Sequence, residues 1–69
     1  MRITYTFGST SEGVRKIDRV LTALRAAYLM PVQLSVTCID SDDFTPVAAV
    51  EPPDEAIKRA VLTLCRRII

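Results

Sequence analysis

The sequence predicts an α+β domain built as a two-layer sandwich, order β-α-β-β-α, with two helices packed on one face of a small three-stranded mixed sheet. Three observations carry that prediction. Residues 2–7 and 32–39 alternate apolar and polar side chains, the period of a strand with one buried face. Between them, apolar residues recur every three or four positions. After an acidic turn, a shorter apolar run and a proline-led amphipathic stretch repeat the pair.

In the first strand Ile3, Tyr5 and Phe7 share the inward face, and Arg2, Thr4 and Thr6 the outward one. Gly8 breaks it. Ser9 followed three residues later by Glu12 is a capping-box pattern that opens a helix. Val14, Ile17, Leu21, Leu24 and Tyr28 form its core stripe, while Arg15, Arg19, Thr22 and Ala26 face away. Glu12–Lys16 and Arg15–Asp18 are spaced to pair along the helix. Pro31 stops it, because the residue before a proline is pushed out of the helical region.

In the second strand Val32, Leu34, Val36 and Cys38 point one way, and Gln33, Ser35 and Thr37 the other. Asp40-Ser41-Asp42-Asp43 is turn chemistry. The third strand, over residues 44–50, holds Pro46 and is therefore expected at a sheet edge or to begin only after the proline. Pro52, Pro53, Asp54 and Glu55 then restart a helix, with carboxylates against the positive end of its dipole. Its buried stripe is Ile57, Val61, Leu64 and Ile68, and Arg66 and Arg67 suit its last turn.

A helix between two strands of one sheet implies a right-handed crossover and a parallel pair, and the acidic turn implies an antiparallel last pair. That pattern resembles a ferredoxin-like split βαβ unit lacking its final strand, a likeness of topology that carries no function. It leaves an unpaired edge that a second copy or another protein can complete.

The 69 residues hold nine basic and eight acidic side chains and are 49% hydrophobic, the make-up of one small soluble globular domain spanning 1–69. Histidine, tryptophan and asparagine are absent. Without imidazole there is no Ser-His-Asp or Cys-His catalysis, and two cysteines so far apart make neither a zinc site nor a CxxC redox pair. No metal, cofactor or catalytic residue is therefore assigned. Nothing reads as an export signal or a membrane span, so a reducing cytoplasm is the expected location, with Cys38 and Cys65 as free thiols.

Four surfaces are candidates for binding. Residues 8–13, Gly8-Ser9-Thr10-Ser11-Glu12-Gly13, lie between strand and helix with glycine spacing suited to an anion. The Lys-Ser/Thr that a phosphate loop requires is missing, and a plain capping turn is the expected reading. Asp40, Asp42 and Asp43 form a solvated turn or a contact for a basic partner. Arg15, Lys16 and Arg19 cluster on the first helix and Arg59, Arg66 and Arg67 on the second. These are solvated faces, or contacts to nucleic acid or to an acidic partner. Lys58, Leu62, Cys65 and Ile69 lie beside the second helix's stripe, an apolar strip that either docks on its own domain or forms a partner or dimer interface.

The expected function is a non-enzymatic protein-protein interaction module, a homodimer that binds another protein. Small phage-encoded viral inhibitors such as anti-CRISPR proteins are of this size and occlude a partner's surface. The alternative is a small dimeric nucleic-acid-binding regulator working through the arginine-rich helix faces, although the near balance of charge argues against it.

Overall fold

The computed structural model describes residues 1–10, 12–28 and 32–68. It contains β1 (Arg2–Gly8), α1 (Gly13–Ala27), β2 (Gln33–Ile39), β3 (Val47–Glu51) and α2 (Glu55–Ile68), in the order the sequence predicts. The sheet runs β2-β1-β3. β1 and β2 are parallel, in register from Arg2↔Gln33 to Gly8↔Ile39. β3 begins just after Pro46 and occupies an edge, where a residue lacking N–H disturbs no ladder.

β3 is not the hairpin partner of β2. It crosses to the far side of β1 and pairs antiparallel there, from Arg2↔Glu51 to Thr6↔Val47. The ferredoxin-like expectation fails with it, since that topology keeps the two parallel strands apart and here they are neighbours. This path needs room at the end of β1. A Cβ on Gly8 would stand 2.5 Å from the Ser41 carbonyl oxygen and closer still to the Phe44 Cβ, so the acidic connection runs directly over this glycine. Its small size lets the chain pass over β1 instead of folding back along β2.

Ile3, Tyr5 and Phe7 of the central strand are fully buried, with Val20 and Leu24 of α1, Val61 and Cys65 of α2, and Ala48 and Val50 of β3 around them. The Tyr5 and Phe7 rings stack with centroids 5.8 Å apart. The Tyr5 hydroxyl is buried with no hydrogen-bond partner among the described residues. An unmade buried hydrogen bond costs stability, so Tyr5→Phe is expected to leave the fold intact and raise its stability by about 1 kcal/mol, measured by urea denaturation.

The α2 stripe of Ile57, Val61, Leu64 and Ile68 faces the core as expected, with Cys65 added to it, and in α1 Ile17, Leu24 and Tyr28 do so while the start of the stripe is displaced. Val14 is 65% exposed, and Gly13, Val20 and Leu24 are the buried residues of α1. Gly13 fixes this rotation: a Cβ there would meet the Cys38 Sγ at 2.7 Å, and the Ser9 Cβ closer still. With Gly13 pressed on the ends of β1 and β2, Val14 lies about 100° around the axis, in solvent. The capping box is absent, because Glu12 holds the N-cap position with helical dihedrals and no side-chain cap bond. Neither Glu12–Lys16 nor Arg15–Asp18 forms an ion pair; among the described residues the pair present is Arg2 Nη1–Glu51 Oε2 at 3.7 Å. In α2 the Ile57 N–H donates to Asp54 Oδ1 at 3.1 Å, so the carboxylate just ahead of the helix caps it.

Candidate functional site

The sheet has one covered face and one open face. Strand register places three rows on the open side: Gln33–Arg2–Glu51, Ser35–Thr4–Ala49 and Thr37–Thr6–Val47, with Ile39 beside Gly8 beyond them. Arg2 Nε donates to Gln33 Oε1 at 3.2 Å and Arg2 also pairs with Glu51, so the charge on this face is gathered at one end. The rest is hydroxyls and small apolar groups, including Val47 at 51% exposure. The threonine-rich open face is therefore where the sequence placed it.

The two edges of the sheet differ. β3 is five residues long, bracketed by Pro46 and Pro52, and its inward residues Ala48 and Val50 are 5% and 7% exposed. β2 is seven residues long and contains no proline and no charge. Its inward residues Leu34, Val36 and Cys38 remain only half-buried, although they touch the core. Edges of natural sheets are normally blunted by charge, proline or short length, and β2 has none of these.

The direction of the free main-chain groups follows from two hydrogen bonds. The Gln33 N–H donates to the Met1 carbonyl at 3.0 Å, and the Ser9 N–H donates to the Ile39 carbonyl at 3.0 Å. Odd-numbered residues of β2 thus bond inward to β1. By alternation, Leu34, Val36 and Cys38 direct their N–H and C=O groups outward, and no strand pairs with them among the described residues. The sequence predicts an unpaired edge without fixing which strand forms it; β2 is marked there only as an uncharged run, rich in β-branched residues, that ends in an acidic turn.

The residues singled out beforehand are dispersed. Cys65 is fully buried in the core and is no contact residue; burial also pushes its thiol up to about 11. It turned inward because the α2 stripe runs through Val61 and Cys65 with Ile57, Leu64 and Ile68 half-buried alongside. Leu62 is half-buried against the core and Lys58 is half-buried, which leaves no broad apolar strip at these two positions. Ile69 and Pro31 lie outside the described residues. Leu62→Asp would consequently damage the fold as well as any contact.

Arg15, Arg19, Arg59, Arg66 and Arg67 are exposed and Lys16 is half-buried. One residue of each basic cluster meets the other: Arg19 of α1 and Arg67 of α2 line a shallow groove of about 600 Å³ between the helices, together with Ala23 and Ala26. Asp18 sits in the same groove. Asp40, Asp42 and Asp43 are exposed, and the Asp43 N–H donates to Ser41 Oγ at 3.3 Å, as a solvated turn does. At the carboxyl ends of β1 and β2, Ser9, Thr10, Cys38 and Asp40 line a hollow of about 260 Å³ beside the start of α1. Ser11 of that loop lies outside the described residues. Among the described residues, no three cysteine, aspartate or glutamate side chains converge on a point that would hold a metal ion, and no helix is long and apolar enough to cross a membrane.

Compared with protein-family models, curated proteins and solved structures, the chain gives no significant match to any.

Proposed function

We propose that this chain is a non-enzymatic protein-binding module, acting in a reducing cytoplasm, whose binding element is the open edge of β2. The observation that carries the reading is the unprotected edge itself: three outward N–H and three outward C=O groups, no charge, no proline, and side chains half-covered by α1. An edge of this kind accepts a strand of another chain through main-chain hydrogen bonds, with alternate side chains supplying specificity. A small inhibitor that occludes its partner's surface, in the manner of phage-encoded anti-CRISPR proteins, is the concrete form this function takes.

Val36→Pro tests it. The substitution removes an outward N–H and leaves every bond to β1 in place, as proline at a sheet edge does. Tagged wild-type chain is expected to retain a stoichiometric protein chain from a host lysate that also holds the untagged chain, after nuclease treatment at moderate salt, and the folded Val36→Pro chain to lose it. Retention by both, with circular dichroism unchanged, overturns the reading.

A second reading rests on the groove shared by Arg19 and Arg67. It makes the chain a nucleic-acid-binding regulator. Affinity for duplex or single-stranded oligonucleotides would then fall steeply with salt and weaken in Arg19→Ala and Arg67→Ala. Absence of binding at low ionic strength removes it.

A further inference from the structure

We propose that the chain completing the β2 edge is a second copy of this protein, paired antiparallel about a two-fold axis through Val36, so that two three-stranded sheets become one of six strands. The inference rests on the reading of β2 as the binding element and goes beyond it by naming the occupant and the register.

Three features select a second copy. The first is hydrogen-bond parity. An antiparallel pair alternates residues that exchange two hydrogen bonds with residues that exchange none. The outward groups of β2 belong to Leu34, Val36 and Cys38. Centring the axis on Val36 sets Val36 against Val36 of the second copy and Leu34 against Cys38 of the second copy, in both directions. All three residues then exchange both bonds, and six new hydrogen bonds form. Shifting the register by two residues in either direction leaves Leu34 or Cys38 without a partner inside the strand.

Side-chain match is the second feature. On the covered face the pairs are Val–Val and Leu–Cys, all apolar; on the open face they are Ser35–Thr37 and Gln33–Ile39. β2 contains no charge, so a strand opposing its own copy meets no like-charge pair, the commonest obstacle to self-pairing along an edge. The third is the unfinished cover. Ala48 and Val50 are buried at the β3 edge, while Leu34, Val36 and Cys38 stay half-buried at the β2 edge. An added strand, with its own inward Leu34, Val36 and Cys38 beside these, covers part of that remaining apolar surface.

Two double variants test the register, both placed at Ser35 and Thr37, which are exposed on the open face of the isolated chain. In S35K/T37K the two-fold axis sets ammonium against ammonium twice. In S35K/T37E it sets ammonium against carboxylate twice. By sedimentation over a micromolar dilution series, the wild-type chain is expected to show twice the chain mass and S35K/T37E to keep it. S35K/T37K is expected to dissociate at concentrations roughly tenfold higher. Circular dichroism of both variants should match the wild type.

A wild-type chain that stays monomeric throughout, or a dimer equally stable in both double variants, overturns the proposal. The two readings separate cleanly. A monomeric wild-type chain whose captured protein is lost in Val36→Pro leaves the binding edge standing and removes only the second copy, whereas a monomer that captures nothing removes both.

Discussion

Gly8→Ala is expected to destabilise the domain by about 2 kcal/mol, a large part of the roughly 3–10 kcal/mol that a chain of this length commands. Alanine in place of glycine ordinarily gains about 0.4–1 kcal/mol by restricting the unfolded chain where the native dihedrals allow it. Here they do allow it, since no glycine among the described residues has positive φ. The opposing term is space. A Cβ at position 8 would stand 2.5 Å from a backbone carbonyl and closer to the Phe44 Cβ, atoms fixed by the main chain and unable to swing aside as a flexible side-chain end would. The connection over β1 has to lift, and with it the path that delivers β3 to its edge. Chemical denaturation reads the loss directly. A midpoint equal to or above that of the wild type would show that the loop does not rest on this glycine.

The second large effect is a loss of stability in alkali. Burial pushes the Cys65 thiol from its ordinary value of 9.0 up to about 11. The folded state therefore holds the proton more tightly than the unfolded state does. The resulting stabilisation is fully present below pH 9 and is lost as the pH rises through about 11, a swing of about 2–3 kcal/mol. The Tyr5 phenol adds to it at higher pH, being raised by burial first and by the Cys65 thiolate second, with Arg66 opposing. Denaturation midpoints taken from pH 8 to 11 should fall steeply in the wild type and less steeply in Cys65→Ala, whatever the cavity costs that variant at neutral pH. An identical slope in the two chains would place the alkaline sensitivity elsewhere.

Elements were legible in the sequence wherever one period dominated. The alternation of Ile3, Tyr5 and Phe7 against Arg2, Thr4 and Thr6 specifies both the strand and its buried face, and the structure agrees residue by residue. Helix rotation was less legible. The spacing of large apolar side chains predicts that Val14 begins the α1 stripe, whereas its buried first position is Gly13, which has no side chain at all. Cys65 was displaced for a related reason, being small and chemically distinctive in a helix whose longer aliphatic residues suggested a different face. Strand order was not locally encoded. The crossing of β3 to the far side of β1 takes Phe44 and Ser41 close over Gly8, a contact between residues far apart in sequence. The candidate site was hardest, because its working groups are peptide N–H and C=O, which every residue except proline carries. Only the absence of charge and proline from β2 marks it, and an absence has no motif.

The position of β1 between its two neighbours also shapes how the chain reaches this state. The central strand is the earliest in sequence, yet its first partner lies 31 residues away and its second further still. Neither ladder is available to a lone hairpin. Closure of these long loops comes before any sheet hydrogen bond rewards it, so high contact order places the domain among the slower folders of its size. A nascent chain on the ribosome carries β1 unpaired until β2 has emerged, and lacks the Val61 and Cys65 wall of its core until α2 has followed. Folding is therefore a late, concerted event, and β1 spends synthesis as an apolar strand without neighbours.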